Sequence, residues 1–460
     1  MYGLERNVLP KTVVAIVSWA IVVCSTLYLL PSQDSFVLIL GLVGFPIAVV
    51  LTLMARPEYL WVIVVLSFLS LPYLNLRAEI GTLLVPIPAF LAVSVLVGLL
   101  LRQTFGGLAR RIDRRLLVAW LFFLAANLVS VYHSVSLRSS VFLLLKWVFH
   151  GTLFFSLIST LRGEKHVRRL TFTFIIIITI LSLTGLYRLF VVESAQDIDL
   201  FGGTATRDAP SYYLAITLPL GIALLWDPTL RLIQKGLVLL SVAVSGVALA
   251  FTFTRAGWIS LLVALFILGL FQRKVWIFLA AALSVAVLAA PQAIPNRFSS
   301  IYIISEAPTS PYQSSSIARY YLLLTARNMI RDHPLIGVGV GTYTLNYHKY
   351  REAGAYVQPK LPHNEYLQTW AEAGIGALAS LLWIAYMILS RLFRAQSWAV
   401  DIRERYLLLG YLGSAVSVFV YAIFSNNLNT MLTWLILALG VALANEVEEE
   451  RRATLHGLQR

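Results

Sequence analysis

Hydrophobic residues in this chain do not alternate with polar ones. They come in long unbroken runs, such as Val13–Leu30 and Leu170–Val192. Apolar runs of about 16–24 residues suit helices that cross a bilayer. Fourteen are found, near 13–30, 35–54, 59–74, 83–101, 116–132, 141–161, 170–192, 211–226, 236–253, 256–271, 275–290, 366–390, 405–424 and 429–445. A segment inside hydrocarbon must pair its backbone internally, so such runs predict helices. A transmembrane β-barrel would show alternating segments of about ten residues instead. The predicted fold class is an all-α polytopic membrane protein with about 12–14 transmembrane helices. The lower count applies if the shorter runs are re-entrant or broken pairs.

Residues 291–365 form the one large interruption of this pattern. They divide the chain into an N-terminal transmembrane bundle (1–290), a long loop with amphipathic helices (291–365), C-terminal transmembrane helices (366–445) and a tail (446–460). A loop this long is expected to have a function of its own. No internal repeat and no inverted-repeat signature of a transporter is apparent.

Composition supports the class. Of 460 residues, 59% are hydrophobic and 13% charged, with a mean hydropathy of +0.79. Soluble domains carry about 25% charged residues, and disorder needs low hydrophobicity, so both are excluded. The single cysteine, Cys24, rules out an intramolecular disulfide and a cysteine-based metal site. No cleavable signal peptide is expected: Arg6 and Lys11 precede the first run, and no small-residue cleavage site follows it.

The net charge of +14 would suit nucleic acid in a soluble protein. Here it reads as basic cytoplasmic loops, and no nucleic-acid partner is expected. With the N-terminus in the cytoplasm and spans alternating, 23 of the 36 Lys and Arg fall on the cytoplasmic side and 11 on the other. Seven of those 11 lie in 291–365, and Lys146 and Arg188 fall inside spans, so short loops divide 23 to 4. Both termini are expected in the cytoplasm, with the long loop outside.

Candidate chemistry is therefore sought on the outward side. Ser314–Ser316 suit an N-cap, and a helix is expected from about Ile317 to Asp332, stopping at His333-Pro334. At about 100° per residue, Arg319 and Arg327 lie roughly 80° apart on one face. Such a pair is either a solvated face or a pyrophosphate clamp, since guanidinium offers two parallel donors and stays charged. Gly337-Val338-Gly339-Val340-Gly341 follows no strand, and a tight turn accounts for it better than a nucleotide loop.

Pro359-Lys360-Leu361-Pro362-His363-Asn364-Glu365 leads directly into a span. His363 sits at a helix start, where the dipole disfavours imidazolium. A neutral imidazole can act as general base; the same position also suits an interfacial polar residue, and Asn364 an ordinary cap. Glu372 lies two turns into the span, where a carboxylate is costly. It is either paired with a cation or orients groups near His363. Arg255 occupies a hairpin with almost no loop, either snorkelling to water or reaching a ligand. With Lys146, Arg188 and Arg207, it makes a surplus of positive charge at outward membrane depth, which predicts an anionic ligand at the membrane surface; a lipid pyrophosphate fits that description.

These residues also carry a resemblance. Thr254-Arg255-Ala256-Gly257-Trp258, then Arg319 with Leu323, then His333-Pro334-Leu335-Ile336-Gly337-Val338-Gly339, then His363-Asn364-Glu365-Tyr366-Leu367 followed by Gly374, resemble the O-antigen ligase and O-antigen polymerase superfamily in order and spacing. The family often has an Asn shortly after an Arg in an earlier outward loop. Here Arg207-Asp208-Ala209-Pro210 continues with Ser211.

The resemblance implies an all-helical, GT-C-like membrane glycosyltransferase. It implies a periplasmic site, no metal and no other cofactor, and a glycan donor on undecaprenyl pyrophosphate. Arg255 and Arg319 would hold the pyrophosphate, with Arg207 carried over beside them, and His363 would be the essential histidine. Arg327, Lys146, Arg188, Asn364 and Glu372 are expected to line the substrate. The acceptor is a sugar hydroxyl, on lipid A–core for a ligase or on another lipid-linked repeat unit for a polymerase; the ligase is the expected reading. The rival class is a transporter of lipid-linked glycans or small anions, which would need polar residues at mid-membrane and on the cytoplasmic side as well.

Overall fold

In a computed structural model of the protein, the described residues are 77–80, 83–86, 113–192, 208–288, 311–352 and 360–458. The first three predicted spans, most of the fourth, and Arg207 lie outside them. Residues 83–86, expected to begin the fourth span, are instead extended: β1 (Arg77–Ile80) pairs antiparallel with β2 (Leu83–Pro86).

Twelve α-helices follow among the described residues: α1 (Arg114–Ser130), α2 (Leu137–Thr160), α3 (Glu164–Tyr187), α4 (Asp208–Leu225), α5 (Leu232–Phe251), α6 (Arg255–Phe271), α7 (Val275–Leu288), α8 (Pro311–Asp332), α9 (Tyr343–Tyr350), α10 (Glu365–Trp398), α11 (Ile402–Tyr421) and α12 (Met431–Leu458). Among the described residues, seven stretches are long and apolar enough to cross a membrane, and α6 is a shorter apolar helix. The protein is an all-α polytopic membrane protein. The helix expected at 317–332 begins earlier, at Pro311, whose missing N–H costs nothing in a first turn. Ser314–Ser316 therefore lie within the helix and do not cap it.

Lipid is as apolar as leucine, so these helices are held by close backbone approach and buried hydroxyls. Small residues of α11 at 410, 413, 414 and 417 form one face at helical spacing. Gly410 lies against Leu220 and Gly413 against Pro219 of α4. Ser414 Oγ donates to Ile216 O (2.6 Å) and Ser417 Oγ to Ala215 O (2.9 Å). Ser417 also reaches Ser260 O of α6 (3.1 Å), which locks α4, α6 and α11 together. Beside them, Trp120, Trp147, Phe154 and Trp434 pack edge to face between α1, α2 and α12.

The basic short loops meet at one end. Arg168 pairs with Asp227 (3.1 Å) and Glu164 (3.2 Å), and the Gly163 N–H reaches Glu446 (3.0 Å). Arg391 pairs with Asp113 and donates to Asn445 (3.0 Å). Gln272 donates to Tyr406 (3.2 Å). Segments that alternation assigned to one side of the membrane thus lie together.

At the opposite end, the loop segment Pro334–Tyr343 is fused to α10 through a break in that helix. In a continuous helix the Ala371 and Glu372 carbonyls would accept from residues four further on. Gly374, at φ 78°, interrupts the ladder. The Val338 N–H donates to Ala371 O (2.9 Å), the Gly339 N–H to Glu372 O (3.0 Å), and the Ile375 N–H to Pro334 O (3.0 Å). A Cβ on Gly374 would sit 2.0 Å from Leu335 O, and one on Gly337 2.3 Å from the Glu372 carbonyl carbon. The glycine-rich stretch is thus a turn, as expected, and its glycines permit this close docking.

Candidate active site

His363 stands where four elements meet. It precedes the α10 N-cap, Asn364, whose side chain accepts from the Leu367 N–H (2.9 Å). The Glu365 N–H donates to Ala422 O (2.9 Å), which ties this turn to the end of α11. Held from both sides, His363 adopts φ 52°, a left-handed conformation that a non-glycine residue takes only under constraint.

Its Nδ1 lies 3.8 Å from Asp208 Oδ2, at the start of α4. That is ion-pair range, beyond a direct hydrogen bond. The Asp208 carbonyl accepts from the Tyr421 hydroxyl (2.8 Å), which also bonds the Ser211 hydroxyl (2.6 Å), so the end of α11 fixes the beginning of α4. Burial, then the Arg319 guanidinium and the Lys360 ammonium, hold the His363 imidazole below its usual pKa, and the Asp208 carboxylate opposes them without prevailing. This favours the neutral ring, which can take a proton.

Arg255 opens α6 at the same corner. Two residues on, Gly257 packs so tightly that a Cβ there would lie 3.2 Å from that of Ser211. The N-termini of α4, α6 and α10 therefore converge, and their partial positive charge adds to Arg255 and Arg319, a setting that favours an anion. An apolar cavity of about 660 Å³ between α4, α5, α6 and α7 runs up to Phe253 and Trp258, on either side of Arg255.

Other expected residues fall differently. Arg327 is exposed two turns beyond Arg319 on α8, and the charges acting on His363 are Arg319, Lys360 and Asp208. Asn364 is occupied as the α10 cap. Glu372 has neutral donors where a cation was one expectation: the Tyr343 N–H (2.9 Å) and Gln368 Nε2 (3.3 Å). Arg188 is exposed at the end of α3, and Phe190 beside it packs edge-on against Phe251, next to the Arg255 turn. Lys146 lies over the Phe142 ring and lines a separate cavity with Glu365 and Glu372. Arg207 lies outside the described residues. Asp208 was not singled out in the sequence; an acid beside the outward arginines, just before a helix, was the available signal.

Among the described residues, no group of three or more His, Cys, Asp or Glu side chains could hold a metal ion. The fold and this charged corner define an integral membrane protein with a polar site at one end. Residues 237–382 match the family model described as O-antigen ligase, which places this stretch in the O-antigen ligase and polymerase superfamily. The match spans Arg255, Arg319 and His363 and supports glycosyltransferase activity of the ligase or polymerase type, on lipid-linked glycans. No curated protein matches the chain.

Proposed function

We propose that the protein transfers a glycan from undecaprenyl pyrophosphate to a sugar hydroxyl on lipid A–core, as an O-antigen ligase, on the periplasmic side of the inner membrane. The observation that carries this is the meeting of a half-buried histidine, biased toward its neutral form, with two arginines and three helix N-termini at the head of an apolar cavity. The cavity suits the polyprenyl tail, and the arginines suit the pyrophosphate.

His363 takes the proton of the acceptor hydroxyl as its oxygen attacks the anomeric carbon. The new C–O bond forms opposite the breaking bond to pyrophosphate, whose oxygen keeps the electron pair, so configuration inverts. Asp208, beside Nδ1, favours the tautomer that leaves Nε2 free to accept, and steadies the imidazolium that results. Arg255 and Arg319 stabilise the charge on the leaving pyrophosphate, a contribution of about 3–4 kcal/mol for each well-placed donor. Pyrophosphate leaves without a general acid, so no second carboxylate of the glycosidase kind is required.

Reconstitution with purified lipid-linked glycan tests the reading. Glycan appearing on lipid A–core, with inverted linkage, supports it. Elongated lipid-linked glycan identifies a polymerase, and transfer to neither contradicts the proposal.

A further inference from the structure

The first two turns of α10 carry a polar face at helical spacing, Glu365, Gln368, Thr369 and Glu372, ahead of a mostly apolar stretch that runs to Leu389. All four are more than nine-tenths buried, with exposures of 5%, 8%, 7% and 4%. They line a cavity of about 350 Å³, together with Lys146 of α2 and Asn426 from the loop after α11. Asn426 Nδ2 donates to Gln368 Oε1 (2.6 Å), and Gln368 Nε2 donates to Glu372 Oε2 (3.3 Å). Glu365 accepts from the Leu428 N–H (3.2 Å). A polar wall in a membrane helix is costly unless its groups are hydrogen-bonded, to one another or to a ligand.

The position of the cavity gives the ligand. Leu361 and Glu365, two residues before and after His363, both line it. Arg319 and Asp208 act on His363, and Arg255 shares the Asp208 corner, while none of the three lines this cavity. His363 lines neither cavity itself. It lies beside the cationic corner at the head of the apolar cavity and, through Leu361 and Glu365, beside a compact one. The wall of the compact cavity mixes amides, carboxylates, hydroxyls and the Lys146 ammonium with the rings of Phe123, Phe142 and Trp147. Vicinal sugar hydroxyls, each both donor and acceptor, match that mixture. The volume is at the small end of ligand sites and suits a terminal sugar rather than a lipid tail. Resting on the transferase reading, we infer that this cavity is the acceptor subsite, which seats the acceptor's terminal sugar and presents its hydroxyl to His363.

Thr369→Val removes one hydroxyl at constant volume, and Thr369→Phe fills the cavity. The full chain in nanodiscs is assayed with lipid A–core in one arm and a second lipid-linked repeat unit in the other, and undecaprenyl pyrophosphate binding is measured separately. Thr369→Val should raise acceptor KM about tenfold with kcat held within about twofold. Thr369→Phe should abolish saturation by acceptor, and both variants should bind undecaprenyl pyrophosphate normally. An unchanged acceptor KM in Thr369→Val overturns the assignment, even if Thr369→Phe fails to fold. So does loss of undecaprenyl pyrophosphate binding in step with activity. Failure of the transferase reading shows elsewhere, as transfer to neither acceptor by the unsubstituted protein, and removes this inference with it.

Discussion

His363 and Asp208, 155 positions apart in sequence, face each other at 3.8 Å, and each begins or precedes a different helix. The histidine is pulled in opposite directions by two neighbours, and this gives a signed test. Asp208 favours the imidazolium and Arg319 disfavours it. The acidic limb of the pH–rate profile should lie below the usual histidine value of about 6.5, with activity lost as pH falls through it. Asp208→Asn should move that limb to lower pH, and Arg319→Leu to higher pH, in single-turnover assays. Shifts in the same direction, or none, contradict the assignment of the base.

Arg255 and Arg319 are assigned charge that exists in both ground and transition states. Arg255→Ala and Arg319→Ala should each weaken undecaprenyl pyrophosphate binding and lower turnover. Arg→Lys should recover only part of either, since one ammonium does not replace a two-pronged donor. Complete recovery by lysine would show that only net charge matters there.

Gly374→Ala should be far more damaging than an ordinary surface change. The added Cβ would collide with Leu335 O in a backbone conformation at φ 78°, and about 3 kcal/mol or more of destabilisation is expected. Thermal unfolding in detergent checks this, with Gly246→Ala of α5, where an added Cβ meets nothing within 4 Å, as the comparison.

Much of this arrangement could be read in the sequence, for a physical reason: span length and loop charge are local signals. The runs at 116–132, 170–192 and 236–253 each correspond to a helix, and Arg255 and His363 fall at helix starts as their context suggested. Long-range pairing leaves weaker traces. Nothing local says that Gly374 breaks α10 so that Val338 and Gly339 can take its carbonyls. Asp208 is inconspicuous in the sequence, a single acid directly after Arg207 with its partner His363 155 residues away. The polar face of α10 was present as a period, yet Glu372 alone stood out, because a lone carboxylate is more conspicuous than Gln368 and Thr369.

Orientation is tested by reporters fused at single positions. Fusions after residues 165 and 398 should report cytoplasm, and one near 350 periplasm. The motive is the concentration of basic residues in short loops. Their gathering at one end of the bundle, through contacts such as Arg168–Asp227, adds to it. A periplasmic signal at 165 would put the His363 site on the wrong side.

The central claim is that His363 is the base and the arginines hold the donor. The most direct measurement is on His363→Ala, with undecaprenyl pyrophosphate affinity and single-turnover glycan transfer determined on the same folded preparation. The account predicts normal affinity with transfer abolished. Near-normal transfer by His363→Ala would contradict it, leave the histidine a structural element of the α10 entry, and favour the transporter reading.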